Sequence, residues 1–229
     1  MATSIVERLI SIIAPHRCIV CGDEDSVLCT GCQGDLSPSL LSMCALCDRP
    51  TKGSAVCIHC RQHTALSYIW VANSYEGVIA KLIRRFKFSH VKAAARPLAH
   101  NLANSLPYLA PDTLLVPIPT VINHVRMRGY DHALLLAKEL GHLTGLQCKS
   151  LLRRNNKLRQ VGQGRKQRKI QAKSAFYTSP RLDCRGAHIL LIDDVITTGA
   201  TLEAAAAELY RIGAKQVDAV VVAKQALKL

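Results

Sequence analysis

From residue 66 onward, the apolar residues fall alternately into short unbroken runs and into helical spacing. The runs at 66–72 (LSYIWVA), 114–118 (LLVPI), 189–192 (ILLI) and 216–223 (QVDAVVVA) predict short buried strands. Between the first two, Val78, Ile79, Leu82, Ile83 and Phe86 share one side of a helix expected over 75–88. Its other face, with Lys81, Arg84, Arg85 and Lys87, is expected to be solvated. Further helices are expected over 92–105, with Pro97 a local irregularity, over 133–142 and over 202–209. The segment 120–132 after two prolines reads as a loop, Ser150 to Arg153 as a strand, and order resumes at Ala175-Phe176-Tyr177. Strands alternating with helices predict an α/β domain over 66–229, with a parallel-rich sheet flanked by helices and sites at the strand carboxyl ends.

Residues 1–65 follow another pattern. Ile5, Val6, Leu9, Ile10, Ile12 and Ile13 give residues 1–16 one apolar helical side, expected to dock on the body. Residues 17–65 carry few apolar residues but eight of the ten cysteines, all as C-x-x-C pairs: Cys18/Cys21, Cys29/Cys32, Cys44/Cys47 and Cys57/Cys60. Two thiolates two residues apart can bind one ion from a tight turn, and two such turns complete a tetrahedron. Four pairs predict a double zinc ribbon with two structural four-cysteine sites, whose folding depends on the metal. Sequential pairing is simplest, a crossed pairing also satisfies the spacing, and a redox C-x-x-C is the alternative chemistry. His16, His59 and His63 are not needed as ligands, and Cys148 and Cys184 read as packed or surface thiols.

The run HILLIDDVITTGATLEAAAAEL at 188–209 carries the candidate chemistry. A buried strand is expected to end at the acidic pair Asp193 and Asp194, followed by Val195 and the turn Thr197-Thr198-Gly199-Ala200-Thr201, then a helix. The unpaired N–H groups of a helix start suit a phosphate, Gly199 permits close approach, and the threonines add hydroxyl donors. Like charges exclude the acids from that phosphate. They suit ribose hydroxyls or Mg²⁺.

Charge sharpens this picture. The chain has 30 Lys and Arg against 16 Asp and Glu, a formal net of +14. Residues 1–65 hold 5 basic against 6 acidic residues, so the excess lies in the remainder. Residues 149–173 contain ten basic residues and no acidic one, a field that favours diphosphates, nucleic acid or both. Within it Arg165, Lys166, Arg168 and Lys169 are nucleic-acid candidates, while base stacking would need aromatics that this stretch lacks. Phe86, Phe88, Tyr130, Phe176 and Tyr177 are nearby in sequence, with core packing expected for most. Arg126 and Arg128, after a parallel strand, are placed for a diphosphate. Mean hydropathy is +0.13, no stretch approaches a membrane span, and no secretory cleavage site is recognisable, so a cytoplasmic address is expected.

The run DDVITTGAT resembles the phosphoribosyl-pyrophosphate (PRPP) loop of type I phosphoribosyltransferases, in which two acids bind the ribose hydroxyls and the turn cups the 5′-phosphate. Over nearly its full length the chain resembles the ComF/ComFC family of natural competence, which includes the GntX-like proteins. The resemblance is carried by the cysteine ribbons, Lys87-Phe88, Val116-Pro117-Ile118-Pro119, Arg126-x-Arg128-Gly129-Tyr130, Gln160-x-Gly162, Arg165, Arg168, Ala175-Phe176 and the loop. It implies a zinc ribbon joined to a type I phosphoribosyltransferase domain, PRPP with Mg²⁺ as ligand, and handling of single-stranded DNA in the cytoplasm, with a helicase as partner. Phosphoribosyl transfer to a nucleobase or another acceptor is the alternative function. Two positions depart from the family. Asp131-His132 stand where Asn-Gln is usual, placing an acid beside the expected diphosphate site, and Gln171 stands where Asn is usual.

Overall fold

The apolar runs become the strands of one sheet in a computed structural model that describes residues 16–24, 26–34, 36, 42–155, 175–179 and 183–226. The helix expected over 1–16 lies outside the described residues except for His16. So do Arg165, Lys166, Arg168, Lys169 and Gln171. The ribbon segment contains two short helices, α1 (Thr30–Gly34) and α2 (Ile58–Arg61). Then follow β1 (Ile69–Ser74), α3 (Gly77–Phe88), a 3-10 turn (Lys92–Ala94), α4 (Ala95–Ser105) and β2 (Leu114–Pro117). Next are α5 (Ile122–Arg128), α6 (His132–Thr144), β3 (Gln147–Cys148), β4 (Leu152–Arg154) and β5 (Phe176–Thr178). The chain continues through β6 (His188–Ile196), α7 (Ala200–Arg211) and β7 (Gln216–Lys224).

The sheet order is β1-β7-β6-β2-β3, with every pair parallel. The central strands β6 and β7 are covered on both faces, which is why their sequences are apolar runs without alternation. One core packs α3, α4 and α6 on the sheet, with Leu82, Ile83, Phe86, Leu98, Leu102, Leu136 and Leu140 wholly buried. Burying one such side chain stabilises the fold by about 1.5–3 kcal/mol. The other core sets α7 and the β4–β5 hairpin against the opposite face. Each core also takes in part of the cysteine region: Cys18, Val27 and Leu28 in the first, Cys44, Ala45, Val56 and Cys57 in the second.

Several boundaries differ from the sequence expectation. The strand expected at 66–72 begins at Ile69, because the segment before it pairs with the ribbon through an Ala55–Tyr68 bridge. Residues 122–128, expected as loop, form α5, which buries no side chain and therefore shows no apolar stripe. Pro97 falls in the first turn of α4, where a missing N–H costs nothing. β4 does not join the main sheet but pairs antiparallel with β5.

Candidate functional site

The site forms at the carboxyl end of β6, which runs through the acidic pair instead of stopping before it: Asp193 pairs with Val221 and Ile196 with Lys224 of β7. A strand can carry Asp194 in a buried position because two side chains with N–H groups meet it. Lys87 at the end of α3 brings Nζ to 2.7 Å from Oδ1, and His132 at the start of α6 brings Nε2 to 2.7 Å from Oδ2. Lys87 is thus turned inward, whereas Lys81, Arg84 and Arg85 lie on the exposed face as expected. This Oδ2 is buried, and among the described residues its one close polar partner is the His132 ring. Asp193 is half-buried, and its carboxylate accepts the Asp194 backbone N–H at 2.9 Å.

The two carboxyls are electrostatically unequal. Burial and the neighbouring Asp194 charge push Asp193 above the usual carboxylate range. Asp194, although burial opposes it, is held low by His132 and Lys87. Asp194 therefore carries the charge, and Asp193 is the member that takes up a proton first. One ligand atom each from His132, Asp193 and Asp194 lie within 4.8 Å of one another. Two carboxylates and an imidazole at that spacing form a donor set that fits a ribose hydroxyl or a hydrated Mg²⁺.

His132 is itself oriented. Its Nδ1 lies 3.0 Å from both Thr120 Oγ1 and Arg128 Nη1. Asp131 does not face the site as a free acid. It caps α6 by accepting from the N–H groups of Ala133 and Leu134, and it accepts from Thr120 Oγ1 at 2.8 Å. Of the two expected diphosphate arginines, Arg128 is brought to the site through His132 and stacks on Phe88 at 5.2 Å, while Arg126 is exposed on α5.

Thr197 to Gly199 form the turn that follows β6, and Gly199 is the N-cap of α7 with φ 77°. Thr197, Thr198, Ala200 and Thr201 are exposed, and Ala200 and Thr201 open the helix with N–H groups that precede its internal bonding. Val195 packs sideways against the first core. Gly199 alone is buried. A Cβ there would lie 2.2 Å from Cδ2 of Leu46, a residue between Cys44 and Cys47. The close approach this glycine permits includes one from the cysteine region, which no sequence pattern signals.

The eight cysteines gather as two clusters in sequential pairing, Cys18 with Cys21, Cys29 and Cys32, and Cys44 with Cys47, Cys57 and Cys60. Within each cluster the sulfurs lie within 4.8 Å. In the second, the Cys60 backbone N–H holds the Cys57 thiol at about 7, while burial and the neighbouring thiols push Cys60 up. In the first, Cys18 falls to about 6 because, against burial, the backbone N–H groups of Cys29, Cys21 and Val20 favour its thiolate. Four thiols this close ionise together only around a cation, which fits two structural Zn²⁺ sites. Cys184 is buried with its thiol toward the Leu209 and Ile212 carbonyls, and Cys148 is half-buried in β3. Among the aromatics, Phe86, Tyr130 and Phe176 are buried, but Phe88 and Tyr177 are 67% and 52% exposed.

Residues 119–228 match the phosphoribosyl transferase domain family, and residues 9–61 match the double zinc ribbon domain. The competence protein ComFC of Bacillus subtilis (strain 168) is 29% identical over 80% of this chain and 77% of its own. Competence protein F of Haemophilus influenzae is 26% identical over 83% of this chain and 93% of its own. The DNA utilization protein YhgH of Salmonella typhi is 28% identical over 78% and 82%. Among solved structures, B. subtilis glutamine PRPP amidotransferase with ADP and GMP aligns at TM-score 0.43 and 17% identity, over 61% of this chain and 30% of that one. A purine phosphoribosyltransferase from Pyrococcus horikoshii aligns at 0.34 and 17%, over 63% and 84%. No helix among the described residues is long and apolar enough to cross a membrane.

Proposed function

We propose that this chain belongs to the ComF family, binds PRPP–Mg²⁺ or a related ribose 5-phosphate, and serves competence by handling single-stranded DNA in the cytoplasm. The observation that carries the ligand is the acidic pair on the central strand beside the helix-opening turn 197–201. Asp193, the half-buried member, would accept the ribose hydroxyls, and Asp194 beside it would add the second carboxylate for a further hydroxyl or Mg²⁺. Val195, Thr197, Thr198, Gly199, Ala200 and Thr201 would form the 5′-phosphate cradle. Lys87 and His132 fix the orientation of Asp194, and Arg128 supplies positive charge toward a diphosphate. Were transfer to occur, that charge would stabilise the departing diphosphate. An acceptor-activating base is not evident among the described residues of the site, so binding is the primary reading and phosphoribosyl transfer the second.

The DNA role is supported by the names of the relatives, by the basic stretch 149–173 and by the exposed rings of Phe88 and Tyr177. Titration of the zinc-loaded protein with PRPP–Mg²⁺, with and without a single-stranded oligonucleotide, tests both. Asp193→Asn with Asp194→Asn should weaken PRPP binding by roughly thirtyfold or more, since hydrogen bonds to a charged acceptor are lost. Unchanged affinity would remove the assignment. Neutralising Arg165, Lys166, Arg168 and Lys169 should lower the slope of log affinity against log salt for the oligonucleotide by up to about 3. An unaltered slope would take that stretch out of the DNA contact.

A further inference from the structure

The turn between Cys44 and Cys47 is built into the phosphate turn, not merely placed near it. Leu46 fills the space over Gly199, at the centre of the turn 197–201. The adjacent Asp48, in a left-handed conformation with φ 59°, pairs with the buried ammonium of Lys224. Lys224 ends β7 opposite Ile196, the residue that immediately precedes the turn, and the next residue, Gln225, donates its N–H to the Ile196 carbonyl. One cysteine turn therefore touches the phosphate turn at its entry, through Lys224, and at its middle, through Leu46. The same turn is closed by hydrogen bonds from Cys44 N–H to the Arg49 carbonyl and from Asp48 N–H to the Cys44 carbonyl. It is flanked by a Met43–Pro50 bridge and a Thr51 N–H to Ser42 carbonyl bond, and it would share one ion with Cys57 and Cys60 through Cys44 and Cys47. On the far side, this ribbon is tied to the start of β1 and the segment before it by Ile69 N–H to the Ser54 carbonyl and Val56 N–H to the Ser67 carbonyl.

We propose that the second zinc ribbon is a wall of the ribose-phosphate site, with Leu46 as its positioning residue, so that metal occupancy at Cys44, Cys47, Cys57 and Cys60 and ligand occupancy at 197–201 are coupled. The physical basis is that Leu46 packs both on the second core and on Gly199. With the ion in place the cysteine turn holds Leu46 on Gly199, which fixes the left-handed N-cap and the direction of the N–H groups that follow it. Without the ion the turn opens, the buried side of Gly199 loses its packing, and the phosphate turn relaxes. Linkage makes the effect reciprocal: a ligand that prefers the fixed turn must slow loss of the ion. Among the described residues the first cluster makes no such contact: Cys18, Val27 and Leu28 belong to the core on the opposite face of the sheet. The ligand half of this inference rests on the function proposed above; the positioning half does not.

The test uses the full-length zinc-loaded protein. Amide hydrogen exchange over 193–205 is compared among the wild type, Leu46→Ala, Cys57→Ser with Cys60→Ser, and Cys18→Ser with Cys21→Ser, with zinc counted in each. Faster exchange at 199–201 in the first two variants but not the third is expected. Leu46→Ala keeps all four thiols, so it separates loss of the contact from collapse of the ribbon. Unchanged exchange in Leu46→Ala, or an equal rise in the Cys18→Ser with Cys21→Ser protein, would overturn the proposal. Zinc release to a colorimetric chelator is then followed with PRPP–Mg²⁺ present. Release of the second ion should slow by about 5-fold or more, and Leu46→Ala should abolish the slowing. Saturable PRPP binding with no change in release would overturn the coupling. The expected exchange pattern in a protein that does not bind PRPP would refute the ligand while leaving Leu46 as the residue that positions the turn.

Discussion

Asp131 shows how a residue's meaning depends on what it touches. As a bare acid beside a diphosphate site it would repel the ligand, yet its oxygens are spent on two helix N–H groups and on Thr120. Asn would cap α6 as well, so Asp131→Asn should shift the urea midpoint little, whereas Asp131→Ala should cost about 1 kcal/mol. Equal losses for both would show that the charge, not the cap, matters. The neighbour His132 is different, because its ring meets a buried carboxylate that otherwise depends on Lys87 alone. Neither partner of Asp194 could be read from the sequence. Lys87 and His132 lie far from it along the chain, and nothing in their own surroundings announces a buried acid. Asp193, Asp194 and the turn were legible because strand, acids, hydroxyls and glycine are contiguous.

At the scale of elements, contiguity again separates what could be read. β6, β7 and α7 are long and buried, so the unbroken apolar runs of the strands and the helical spacing of α7 stand out. α5 has seven residues with none buried, and β3 has two, so neither leaves a pattern. The β4–β5 hairpin is held to α7 by Glu208, which accepts from Thr178 N–H at 2.8 Å and Thr178 Oγ1 at 2.9 Å and pairs with Arg211 at 2.8 Å. Arg211 first, then Thr178, hold this carboxyl below the usual glutamate range. A carboxyl held low in the folded state contributes stability above its unfolded pKa of about 4.3, and that contribution is lost as pH falls through the folded value. Glu208→Gln should therefore lower stability at pH 7 by about 1 kcal/mol and narrow the gap from wild type on acidification toward pH 3, measured by urea unfolding. A gap that does not change with pH would mean the ion pair contributes nothing.

At the scale of the whole molecule, the cysteine region is no separable appendage. Its two halves sit on opposite faces of one sheet and enter both cores. Stripping both ions should lower the thermal midpoint of the entire chain in a single calorimetric transition, and a separate transition of the sheet domain left at its original temperature would contradict this. The sequence made the division at residue 65 look like a boundary because composition changes there. Burial crosses it, since cysteines flanked by a few apolar residues do not reveal which surface those residues will cover.

The pairing of Asp48 with Lys224 spans 176 positions of the chain. On a ribosome adding 5–20 residues each second, the first partner would wait roughly 10–35 s for the second. Through that interval the amino-terminal ribbons are born without the surfaces they cover, and Leu46 has no Gly199 to rest on. Contacts of such separation close slowly, and this one cannot close before β7 has been made. A nascent chain stalled before β7 would hold its metal-binding turns outward, open to whatever delivers the ions.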